Sequence, residues 1–189
     1  LAGGEERKCR DEVTYETQSL YIVYDWSTMH VNVDALTIID TLQRQLQRLL
    51  NVDMLAVPFQ CDIVLPQGAV AQWLRSEQMR HLHGMGCNVI RAVGQGRGVV
   101  GRKVARLLQN VQQFASPERT AIVLMSGRRD LAGMLEEMRH CTVWLHDGKA
   151  DTRRLDNVRT EAWELSDASR NMPRAGNGRS NRVNHRWRA

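Results

Sequence analysis

Two short segments carry the polar residues best placed for chemistry. Asp25-Trp26-Ser27-Thr28 follows the apolar run Leu20–Tyr24, and Ser126-Gly127-Arg128-Arg129-Asp130-Leu131 follows the apolar run Thr120–Met125. Polar residues at the end of an apolar strand stand where open parallel sheets bind ligands, outside the carboxyl ends of the strands. Asp25 and Asp130 read as helix caps, as partners of nearby arginines, or as ligands of a cation, and the sequence leaves all three open. Bases crowd the same places. Arg128 and Arg129 lie within the second segment, Arg97 lies in the glycine-rich stretch Gly94–Gly101, and Arg102 and Lys103 follow it. Such cations compete with a bound metal for the carboxylates and attract phosphate instead.

Other residue types with chemical potential read more plainly. Gly96-Arg97-Gly98-Val99-Val100-Gly101 matches G-x-G-x-x-G. In a dinucleotide-binding fold that motif follows the first strand and precedes an acid about 20 residues on. Here it follows the third apolar run and opens a helix on Arg102-Lys103, so a plain or phosphate-contacting turn is the expectation and a nucleotide site the alternative. The histidines at 30, 81, 83, 140, 146 and 185 form no ligand or triad spacing and are expected to be surface or structural. Cys9, Cys61, Cys87 and Cys141 contain no C-x-x-C pair, and the last three sit in apolar runs, as reduced buried thiols of a reducing compartment do.

The charge is uneven. Arg170, Arg174, Arg179, Arg182, Arg186 and Arg188 fall in residues 170–189, which hold no acid; the remaining 20 bases face 21 acids, a net of −1 for residues 1–169. The basic character belongs to the tail, the pattern of an appended arm that contacts nucleic acid. Rich in Arg, Asn, Gly and Ser, the tail buries almost nothing on its own, so order in it would come from a partner. Arginines with the single Trp187 among them suit RNA backbone and base stacking.

The elements that position these residues follow from periodicity. Leu20–Tyr24, Phe59–Leu65, Cys87–Val93, Thr120–Met125 and Thr142–Leu145 read as buried strands, with a further short one at Glu161–Leu165. Helical spacing predicts helices over 33–50 with Asn32 as N-cap, over 68–83, after Gly101, and after Gly127. Strands alternating with helices specify βαβ units. The expected fold is α/β, a three-layer sandwich with a parallel five-stranded sheet and an extended basic C-terminal tail. Its expected divisions are a polar leader (1–18), one domain (19–166) and the tail (167–189). Hydrophobic residues make up 42% of the sequence, yet no apolar run approaches the ~20 residues that span a bilayer, so no membrane partner is expected.

The two polar segments, in this order and on these elements, resemble the NYN branch of the PIN-like nucleases over roughly Leu20 to Leu165. That family opens with an apolar strand ending in Asp, here Val23-Tyr24-Asp25, and later carries a strand ending in Ser-Gly-Asp-x-Asp-Phe, here Ser126-Gly127-Arg128-Arg129-Asp130-Leu131. The resemblance implies a ribonuclease acting on single-stranded RNA, in which about four carboxylates hold Mg or Mn. The sequence departs from that pattern. Arg128 replaces the first Asp of the second motif, Gly98–Lys103 lacks the expected acid, and Thr28 stands where Asn is usual.

Asp25 and Asp130 are then remnant acids with no confident catalytic residue between them. The implied function is an inactive NYN/PIN-like domain, a structural and RNA-binding component of a ribonucleoprotein such as a ribosome, an assembly intermediate or an RNA-processing complex. RNA contacts are expected from Arg97, Arg102, Lys103, Arg128, Arg129, Arg174, Arg179, Arg182, Arg186, Trp187 and Arg188, with RNA and other proteins of the complex as partners and no cofactor. An active nuclease using Mg or Mn is the first alternative; a small nucleotide-binding α/β protein is the second. The expected location is an intracellular reducing compartment: the mitochondrial matrix, suggested by reduced thiols, a basic tail and a first residue other than Met, or else the cytoplasm.

Overall fold

Short β-branched and aromatic runs form a fully parallel sheet in the computed structural model of the chain, which describes residues 17–29, 33–73, 75–96, 98–149, 155 and 157–164. The elements are β1 (Ser19–Asp25), α1 (Trp26–Met29), α2 (Ala35–Leu50), β2 (Phe59–Pro66), α3 (Gln67–Trp73), α4 (Glu77–Gly84), β3 (Cys87–Ala92), α5 (Val99–Phe114), β4 (Thr120–Met125), α6 (Arg129–Glu136), β5 (Cys141–His146) and β6 (Val158–Ala162). Strand order is β3-β2-β1-β4-β5-β6. After β3 the chain crosses back over the sheet and resumes on the far side of β1, so β1 and β4 form the point where winding reverses. No described helix is long and apolar enough to cross a membrane.

Strand side chains alternate between two apolar layers. Leu20, Ile22, Tyr24, Ile63 and Val123 meet Ile38, Leu42 and Leu46 of α2 and Met79 and Leu82 of α4. Val23, Val64, Ile122, Leu124 and Trp144 meet Val104 and Leu108 of α5 and Leu131 and Leu135 of α6. Burial on both faces explains why these strands are near-continuous apolar runs.

Three local expectations need correction. The sheet has six strands rather than five, and the last is Val158–Ala162, three residues before the expected Glu161–Leu165. As an edge strand it pairs only with β5, from Thr142↔Val158 to His146↔Ala162, so its sequence need not be an apolar run. Trp163 then donates its amide to the His146 carbonyl at 2.7 Å. The expected helix over 68–83 is two helices, because Ser76 accepts from the Met79 amide at 3.2 Å and starts α4 anew. The cap of α2 is Asp34, which accepts from the Thr37 amide at 2.9 Å; Asn32 lies outside the described residues.

The last strand is tied to α2 by charge. Arg48 pairs with Glu161 at 2.7 Å and Glu164 at 2.6 Å, and Arg44 reaches Glu164 at 3.7 Å. Exposed pairs of this kind contribute about 0–1 kcal/mol each.

Candidate functional site

β1 and β4 run side by side, Tyr24 opposite Met125, so the two polar segments read from the sequence converge at one mouth of the sheet. Asp25, the last residue of β1, is 0% exposed. Its Oδ1 accepts from the Ser27 hydroxyl at 2.6 Å and the Ser27 amide at 3.2 Å. Its Oδ2 accepts from the Thr28 hydroxyl at 2.9 Å, the Ser126 hydroxyl at 2.9 Å and Arg128 Nε at 3.1 Å. The two hydroxyls are themselves fixed. Thr28 Oγ1 accepts the Gly127 amide at 2.9 Å, and Ser126 Oγ accepts the Arg128 amide at 3.1 Å. Trp144 Nε1 donates to the Ser126 carbonyl at 2.7 Å, anchoring the turn from beneath.

A carboxylate offers about four lone-pair sites, and here five donors point at them. A hard divalent cation needs free oxygen lone pairs and net negative charge. Asp25 offers neither, because Arg128 already supplies the positive charge. Among the described residues no group of three or more His, Cys, Asp or Glu side chains is placed to hold a metal ion. Around Asp25, the described residues therefore do not fit the Mg or Mn centre of the nuclease alternative.

Small residues make room for this arrangement. Gly101 in the first turn of α5 lies under Arg128, whose Cδ is 3.6 Å from where a Cβ on Gly101 would stand. A Cβ on Gly127 would lie 3.3 Å from Thr28 Cβ and 3.4 Å from the Asp147 carboxyl. Gly98, with φ at 92°, supplies the left-handed turn that starts α5 without a side-chain cap.

Of the expected site residues, Asp25 and Arg128 are joined directly. Arg102 and Lys103 sit on the first turn of α5, with Arg102 Nη1 3.4 Å from the Cβ position of Gly98. Arg129 and Asp130 open α6 on its exposed side. Arg97, Arg174, Arg179, Arg182, Arg186, Trp187 and Arg188 lie outside the described residues. Other acids that a nuclease could call on stand elsewhere: Asp34 caps α2, Asp40 pairs with Arg44 at 3.3 Å, and Glu136 ends α6.

Sequence reading missed Asp147. It follows β5 as Asp25 closes β1, packs against Gly127, and accepts the Lys149 amide at 3.0 Å. An acid directly after an apolar strand was the available signal. His146 beside it is buried, with Nδ1 accepting the Gly148 amide at 3.0 Å, and burial lowers its pKa from the ordinary 6.5. His140 is also buried and shifted down for the same reason. Trp26 packs on Tyr24 in the core, ring centres 5.2 Å apart.

A groove of about 470 Å³ lined by Tyr21, Phe59 and the exposed Phe114 lies at the opposite, amino-terminal end of the strands. No family model matches the chain, and no curated protein matches it.

Proposed function

We propose that this chain is an NYN/PIN-like domain that has lost metal-dependent cleavage and binds RNA phosphate as a component of a ribonucleoprotein. The observation that carries the reading is the Arg128–Asp25 pair at 3.1 Å, a guanidinium on the fully buried carboxylate at the mouth of the sheet. The resemblance places a metal-binding acid at Arg128, and the strand order supports the reading by bringing both motifs to one edge. With Asp25 neutralised, Arg102 and Lys103 near the start of α5 and Arg129 at the start of α6 add positive charge at the same mouth, where a polyanion would meet it. Backbone phosphate recognition requires only such positive groups.

The test is fluorescence anisotropy with labelled single-stranded RNA, using the full chain and an R102E/K103E/R129E variant. None of these side chains donates to Asp25, and circular dichroism of the variant checks that its fold is kept. The variant is expected to bind at least about tenfold more weakly at moderate salt. RNA incubated with the wild type and Mg²⁺ or Mn²⁺ is expected to remain uncut. Equal binding by the two proteins overturns the cleft assignment, and metal-dependent cleavage that is lost in Asp130→Asn or Asp147→Asn restores the nuclease.

A further inference from the structure

β2 and β3 set Cys61 and Cys87 opposite each other in register. Paired residues of parallel neighbours project to the same face, and both side chains enter the layer under α4, 4% and 1% exposed. Adjacent strands lie about 4.8 Å apart, and a disulfide bridges Cα atoms separated by about 4.4–6.8 Å. Both thiols are free. The two differ in character: the neighbouring Cys61 thiol lowers Cys87 from its ordinary value, while the neighbouring Cys87 and burial push Cys61 up. Both are closed to solvent in the folded chain, and they differ in how readily the backbone around them opens. Cys87 is the first residue of β3, an edge strand, directly after the turn at Gly86, whose φ is 91°. The start of an edge strand is where local opening costs least.

We propose that Cys61 and Cys87 form a reversible thiol pair that closes to a disulfide by exchange with a low-molecular-weight disulfide such as oxidised glutathione. Cys87 is the nucleophile and Cys61 the resolving thiol. The Cys87 thiolate attacks one sulfur of R–S–S–R, giving a mixed disulfide and one RS⁻. Cys61 then loses its proton and attacks the Cys87 sulfur, expelling the second RS⁻. The released thiolates take up the protons given by the two cysteines, so two protein thiols are oxidised and one disulfide is reduced to two thiols. Closure fastens the edge strand to β2, and β3 is the strand that feeds the bend at Gly94–Gly96. Cys141, on β5, is separated from the pair by β1 and β4 and serves as an internal control.

The full chain is incubated with oxidised glutathione, acid-quenched, and read by intact mass and peptide mapping. A Cys61–Cys87 crosslink in the folded protein is expected, with glutathione retained on Cys87 in Cys61→Ser and Cys61 unmodified in Cys87→Ser. Amide exchange along β3 in the oxidised wild type is expected to slow at least about tenfold. A crosslink that forms only in denaturant, a Cys61–Cys141 link, or equal glutathionylation of the two serine variants overturns the proposal. Should either serine variant unfold, the wild-type peptide map decides alone.

Discussion

Five donors converge on the Asp25 carboxylate, and an amide in its place would turn an –NH₂ group towards at least some of them. Asp25→Asn is therefore expected to lower stability by about 3–5 kcal/mol, the range for breaking a buried charged pair. Arg128→Leu is expected to cost a similar amount, because it leaves Asp25 buried and uncompensated. The double change Asp25→Asn/Arg128→Leu should cost less than the sum of the two, and urea midpoints of the three variants measure that coupling. His140 and His146 contribute to the loss of stability in mild acid. Burial holds both below 6.5 in the folded chain, so the unfolded chain takes up protons first as pH falls. Their contribution is full above about pH 6.5 and is lost as pH drops through the window below it. Urea midpoints between about pH 7.5 and 5 should fall in the wild type and flatten in a His140→Gln/His146→Gln variant. At this scale the sequence showed the opposition of Arg128 to Asp25, because both flank recognisable strand ends. It did not show Asp147, which lies just beyond the apolar run that drew attention, nor the Cys61–Cys87 pair, whose adjacency depends on the register between β2 and β3, which no local pattern records.

At the scale of elements, three glycines near the mouth make distinct demands. Gly127→Ala forces a Cβ to within 3.3 Å of Thr28 and against Asp147, displacing the β4–α6 turn. The expected loss is about 1–3 kcal/mol by thermal or urea unfolding, as for other overpacked sites. Gly98→Ala meets a backbone at φ 92° and is destabilising by strain. Gly101→Ala meets Arg128 at ordinary contact distance inside a helix and is expected to be neutral or to stabilise by up to about 1 kcal/mol. The elements most legible in the sequence were β1 to β5, whose two-sided burial writes apolar runs. β6 was misplaced because Val158-Arg159-Thr160-Glu161-Ala162 has only one strand neighbour and carries polar side chains, two of which, Arg159 and Glu161, reach α2. The break between α3 and α4 was hidden because Ser76 acts through a cap, which periodicity does not register.

At the scale of the molecule, the electrostatic division between domain and tail governs the RNA reading. Residues 1–169 carry a net charge of −1, and six arginines follow them. Deleting residues 170–189 is expected to weaken binding to single-stranded RNA and reduce the slope of log K against log salt by up to about 4, the value for six single-strand phosphate contacts. An unchanged slope in the same titration removes the tail from the interface. Parallel architecture was legible from the alternation of apolar runs and helical spacing. The order of strands was not, because no local pattern records which strand lies beside β1. That order has a consequence for biosynthesis. β1 emerges before the strands that flank it and takes its second neighbour only when β4 has been made, and Asp25 meets Ser126 across 101 positions. At translation rates of about 5–20 residues per second, the nascent first strand waits some 5–20 s with one edge bare. Chains stalled before β4 would present that edge to whatever binds unpaired strands, which makes the interval between β1 and β4 the period of greatest exposure to aggregation and to chaperones.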